Sequence, residues 1–187
     1  MITLSNGYHI RKLKISDYTF MCETLEDFPL GSLNMNQVQN EMASMLNLQK
    51  SFGTLMEEQW LCTILEFKGV PVSFRFTRFL EKHWEVRMEA VHPEYRGQGH
   101  HSASNFIHGP LFYDILGMET GSADIVAEGG INLALTNIRA KINTVEDSRL
   151  SREDLGSKKL NRFKITKAQW IAWKSSHSIY KDVTWTS

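Results

Sequence analysis

The spacing of apolar positions changes several times along this chain, and each change predicts a different element. Tyr8 to Ile15 alternates between apolar and polar, which predicts a first strand. Ser16 and Asp17 then offer an N-cap for a short helix through Leu25. Pro29, Leu30 and Gly31 end it. Between Asn36 and Ser51, Val38, Met42, Met45 and Leu46 recur near helical spacing, so this stretch predicts an amphipathic helix.

The period then shortens to two. Trp60 to Phe67 is apolar and β-rich, and Lys68 and Gly69 supply a turn. Val72 to Leu80 predicts a second strand, with Phe74, Phe76 and Arg78 on one face. His83 to Val91 predicts a third, with Trp84, Val86, Met88 and Ala90 alternating against Glu85, Arg87, Glu89 and Val91. Short turns between them predict an antiparallel meander. Ser102 to Leu116 returns to helical spacing, but Pro110 after Gly109 predicts a kink or two short helices. Beyond it the pattern predicts a strand over Ser122 to Glu128, a helix over Leu135 to Val145 and a strand over Leu160 to Ile165. Thr166 and Gln169 have capping-box spacing for a last helix carrying Trp170 and Trp173. The fold class is α/β (α+β): a mixed, mostly antiparallel sheet flanked by helices.

Composition narrows the setting. The 187 residues show no repeat, low-complexity tract or linker, so a single domain over 1–187 is expected. Lys plus Arg and Asp plus Glu are each 21, and this balance gives no overall pull towards nucleic acid or anionic membrane. Neither is expected as a partner. Cys22 and Cys62 lack metal-site or redox spacing and read as buried thiols of a reducing compartment. The first residues lack the features of a signal peptide, and no run is apolar enough to span a bilayer. A cytoplasmic protein is expected.

The candidate chemistry lies in residues 91–103. A strand ends at Val91, a helix starts near Gly99 or His100, and Arg96, Gly97, Gln98 and Gly99 lie between. Glycines let the backbone turn and let amides approach a ligand. Free N–H groups at a helix start, with the helix dipole, attract anions, and Arg96 adds charge, so a pyrophosphate suits the loop. The alternative is an ordinary solvated turn. The loop is not a Walker loop, since no Gly-Lys-Ser/Thr follows. Nor is it a dinucleotide fingerprint, since Ser102 stands where the third glycine belongs. His92, His100 and His101 are spaced unlike a zinc site, so no metal is expected.

Arg96-Gly97-Gln98-Gly99-His100-His101, led in by Val91, Pro93 and Tyr95, resembles the pyrophosphate loop of the GNAT superfamily of acetyl-CoA-dependent N-acetyltransferases. Its pattern is Gln/Arg-x-x-Gly-x-Gly/Ala. His101 departs from it, and its larger side chain either crowds the phosphates or hydrogen-bonds them. The order of predicted elements is also the family's.

The resemblance implies an N-acetyltransferase that moves an acetyl group from the cosubstrate acetyl-CoA to a primary amine by direct attack. The alternative is a CoA-binding or protein-interaction module that keeps the fold without catalysis. The resemblance assigns Val91, Arg96, Gly97, Gln98, Gly99, His100 and His101 to the cofactor, and Asn137, in an Asn-x-x-Ala setting, to the pantetheine arm, with Asn132 as a second choice. It places an acidic general base on the strand before the loop, where Glu85 and Glu89 are the candidates. Regular alternation would put both on one face, alongside Arg87; the alternative to the base role is a pair of surface carboxylates, paired with Arg87 on a half-exposed strand. The family's acidic Tyr falls near Thr144 or Arg139, and neither is Tyr. Tyr113, Tyr180 or water is left for that role. Family members often dimerise, so a homodimer is compatible with the resemblance.

Overall fold

The computed structural model describes residues 2–26, 59–126, 144–148, 160–176 and 182–186. The meander forms where the period of two predicts it: β3 (Gln59–Phe67), β4 (Val70–Leu80) and β5 (His83–Val91). Phe67 pairs with Val70, leaving a two-residue turn in which Lys68 and Gly69 take φ of 52° and 82°. Positive φ at both positions matches the twist of a hairpin. Two short strands precede the meander, β1 (Ile2–Leu4) and β2 (Tyr8–Lys12). β2 stops before Ile15 because the Asp17 carboxylate accepts from the Lys14 amide at 2.7 Å and starts a 3-10 turn over Ile15–Asp17. That turn leads into α1 (Tyr18–Glu26).

After β5 come a 3-10 turn over Pro93–Tyr95, α2 (His100–Gly109), a π-helical turn over Pro110–Ile115 and β6 (Thr120–Val126). Pro110 has no N–H to close an α-helical bond, so the helix widens there rather than ending. β7 (Thr144–Ser148), β8 (Leu160–Thr166), α3 (Lys167–Ser176) and β9 (Trp185–Thr186) follow. The capping box is formed: Thr166 N–H donates to Gln169 Oε1 at 2.8 Å, and Gln169 N–H to Thr166 Oγ1 at 3.2 Å. The helix expected over Leu135 to Val145 is corrected at its end. Thr144 and Val145 are strand, paired with Lys164 and Phe163, because β-branched residues beside a ready partner strand follow the ladder. The helix expected over 36–51, residues 127–143 with Asn132, Asn137 and Arg139, and Tyr180 lie outside the described residues.

Among the described residues the sheet has nine strands, in the order β7-β8-β6-β5-β4-β3-β2-β1-β9. Every pairing is antiparallel except β5 with β6. That parallel ladder runs only from His83↔Thr120 to Val86↔Ala123, although β5 continues to Val91 and β6 to Val126. Past Val86 and Ala123 no ladder pair joins the two strands, and this unpaired gap, a wedge, lies along the stretch of β5 that leads into the glycine loop.

The core lies on both faces. On one, Met21 and Leu25 of α1 pack on Cys62, Ile64, Phe74, Phe76 and Ala90. On the other, Ala103, Phe106 and Ile107 of α2 pack on Ile2, Leu4, Ile10 and Leu65. Close to the parallel pair, Trp84, Phe79, Phe112, Tyr113 and Trp170 form a third cluster. A Cβ on Gly121 would lie 1.9 Å from Trp84 Cε2, so the indole occupies the space a side chain would need. Among the described residues no helix is long and apolar enough to cross a membrane.

Candidate functional site

The glycine loop is built from both ends. β5 delivers Val91, whose carbonyl accepts from Arg96 Nε at 3.1 Å. The 3-10 turn is closed by Tyr95 N–H to His92 O at 2.9 Å, and Gln98 Nε2 donates to Glu94 O at 3.0 Å. Gly97 and Gly99 then take φ of 77° and 85°, and a Cβ on either would meet nothing within 4 Å. Both positions thus need glycine for their backbone, and the space beside them is open to a ligand. Gly99 is the N-cap of α2. The N–H groups of a first helical turn have no acceptor within the helix. Arg96 Nη2 also reaches Thr24 O of α1 at 3.5 Å, and the His92 ring stacks on Phe20 at 5.5 Å, so the loop is docked on α1.

The two histidines after the loop point inward. His100 is buried, with Nδ1 2.9 Å from the Tyr8 hydroxyl and its ring among Tyr8, Phe67 and Tyr95. Burial lowers its pKa, which favours the neutral ring. His101 turns to β5, its Nδ1 3.5 Å from Glu89 Oε2 and its Nε2 3.2 Å from Asn105 Nδ2. Neither side chain follows the loop's open side.

Glu85 and Glu89 do not share a face, which corrects the expectation from regular alternation. Phe76 pairs with Met88 but Thr77 pairs with Val86, so Arg87 is the extra residue of a β-bulge. One extra residue reverses the alternation. Glu85 lies opposite Arg78, with Arg78 Nη2 at 3.2 Å and Arg87 Nη1 at 3.4 Å, on the α1 side of the sheet. Its register partner in β6 is Ser122, and His83 joins the Ser122 and Thr120 hydroxyls at 2.8 Å each. Glu89 lies on the α2 side. It accepts from Arg75 Nη2 at 2.7 and 2.8 Å and from Ser104 Oγ at 2.7 Å.

Arg75, Asn105 and Ser104 were not singled out by the sequence reading. The signal available was Arg75 itself, a cation amid the apolar residues of β4; at 2% exposure it requires a carboxylate. Beneath this pair, His108 Nδ1 donates to Ser104 O at 2.8 Å, and Nε2 accepts from the Thr63 hydroxyl at 2.9 Å. Burial, with Arg75 nearby, pushes the His108 pKa down to about 3.

Tyr113 Oη donates to Ile165 O at 3.2 Å inside the aromatic cluster, and burial raises its pKa. Burial also pushes the Cys62 thiol up to about 12, as for an inert core residue. Among the described residues, no group of three or more His, Cys, Asp and Glu could hold a metal ion.

No protein-family model and no curated protein matches the sequence. Solved structures do match. The Salmonella typhimurium acetyl transferase that modifies the N-terminal serine of 50S ribosomal subunit protein L7/L12 aligns with a TM-score of 0.66 at 10% identity, covering 88% of this chain and 99% of its own. The PaiA N-acetyltransferase of Thermoplasma acidophilum, in complex with coenzyme A, gives 0.61 at 14%, covering 84% and 99%. The ribosomal-protein-S18-alanine N-acetyltransferase of Escherichia coli gives 0.56 at 15%, covering 85% and 93%. With one parallel strand pair among the described residues and the glycine loop after β5, the chain has the fold of the GNAT superfamily of N-acetyltransferases.

Proposed function

We propose that this chain is a single-domain N-acetyltransferase that transfers the acetyl group of acetyl-CoA to a primary amine. The observation that carries the reading is the pair of open, left-handed glycines, Gly97 and Gly99, between the end of β5 and the first turn of α2, on a fold shared with acetyltransferases. The amides of residues 97–101 and the charge of Arg96 bind the diphosphate. The pantetheine lies in the wedge beside Val91, where β5 and β6 are unpaired and backbone groups are available to its amides. Asn137 is proposed to bond the same arm.

The reaction needs a neutral amine, a polarised carbonyl and a leaving thiolate. Glu85 takes the amine proton, directly or through water. The neutral amine nitrogen forms a bond to the thioester carbon, the C–S bond breaks, and the proton that the nitrogen then sheds passes through water to the leaving CoA thiolate. Tyr113 is not assigned this last step, because its proton is committed to the Ile165 carbonyl. That observation favours the second reading, a CoA-binding module without catalysis. We assign the protein to the cytoplasm, with no metal, and leave a homodimer open to sedimentation analysis. Native mass spectrometry for bound CoA, followed by thioester consumption against an amine library, separates the two readings. CoA bound without consumption selects the module, and no CoA rejects both.

A further inference from the structure

On the α2 side of the sheet, Arg75, Glu89, Asn105 and His101 form a ring joined by hydrogen bonds on three sides and by a longer polar contact between His101 and Glu89 on the fourth. Arg75 Nη2 donates to Glu89 and to Asn105 Oδ1 at 2.5 Å. Asn105 Nδ2 lies 3.2 Å from His101 Nε2, and His101 Nδ1 lies 3.5 Å from Glu89. The direction of every bond follows from its members. A guanidinium only donates, so Asn105 must turn its oxygen to Arg75 and its NH₂ to His101. The His101 Nε2 must then accept, and the ring proton sits on Nδ1, facing a carboxylate that only accepts. Arg75 and Glu89 come from the sheet and are 2% and 7% exposed at their side chains. His101 and Asn105 come from the first turns of α2, and from the same helix Ser104 donates a further bond, to Glu89.

We propose that this ring positions the first turn of α2, so that Glu89, His101 and Asn105 act on diphosphate binding through the backbone rather than by touching the ligand. The inference rests on the reading that the loop binds CoA. A buried charge pair is costly to form, and its bonds to a second element fix that element's orientation only while all partners are satisfied. The loop ends at Gly99, two residues before His101, so a rotation of the first turn changes where its N–H groups point. His101, the departure from the usual Gly or Ala, is then a strut between helix and sheet.

The test measures CoA and pantetheine, which lacks the diphosphate, by titration calorimetry against wild type, His101→Gln and Asn105→Leu. Both variants leave Arg75 and Glu89 together and are checked for folding by circular dichroism. The expected result is an affinity for CoA reduced about tenfold in each variant, the scale of one misplaced charge-assisted bond, with pantetheine affinity unchanged. Unchanged CoA affinity in both folded variants overturns the inference and leaves the CoA reading standing. An equal loss for both ligands, or variants that do not fold, shows a merely structural ring and also overturns it. Wild type that binds no CoA overturns the underlying reading instead.

Discussion

At the scale of the residue, position in the register matters more than residue type. Glu85 and Glu89 are chemically alike, but only Glu85 lies on the α1 side, between Arg78 and Arg87. If it is the base, Glu85→Gln keeps its shape and removes its basicity, and turnover is expected to fall by ~10²–10⁴. CoA affinity should hold, since the carboxylate lies at the start of β5 and the loop follows its end. Higher pH should restore part of the rate, because more amine is then already neutral. Unchanged turnover in steady-state assays would remove Glu85 from the mechanism. His108 gives a second prediction. Its pKa, ordinarily near 6.5, is about 3 in the folded protein, so the unfolded chain binds more protons between these values. Its contribution to stability is complete above about pH 6.5 and declines as pH falls towards 3. His108→Gln, whose amide can serve both Thr63 and Ser104, should flatten the pH dependence of the urea midpoint across that window. An identical slope in the variant would place the acid sensitivity elsewhere.

At the scale of the element, Trp84 and Gly121 join β5 to β6. A methyl group at residue 121 would collide with the buried indole, so Gly121→Ala should cost ~1–3 kcal/mol, as overpacking does, and lower the thermal midpoint. A neutral effect would mean that Trp84 can move aside at little cost. The elements were legible where a local pattern ran long enough. His83 to Val91 is bounded as its alternation predicts, and the Thr166–Gln169 capping box is formed. β1 and β9 leave no signal in the sequence, because strands of three and two residues show no period. The bulge at Arg87 was invisible for a different reason. It is a property of pairing, fixed by how many residues β4 and β5 each place between their contacts. The ring of Arg75, Glu89, His101 and Asn105 joins residues up to 30 positions apart, and no local window holds them together. The loop glycines were legible because their backbone requirement is written locally.

At the scale of the molecule, the sheet among the described residues consists of two antiparallel parts joined by four parallel pairs. CoA seated in the wedge would touch both parts, so it should stabilise the folded chain beyond what loop contacts alone supply. Binding to the folded state only, at a concentration 100 times its Kd, contributes about 2.7 kcal/mol, and the thermal midpoint should rise accordingly. An unmoved melting curve at millimolar CoA would count against the site. The same short ladder offers a place for local opening to begin. Its pairs end abruptly at Val86 and Ala123, so the next pair to open always has an open neighbour, whereas a pair within β3–β4 is flanked on both sides. Opening would then advance along this seam one pair at a time, as a tear runs from a notch, and a ligand lodged in the notch would arrest it at the tip.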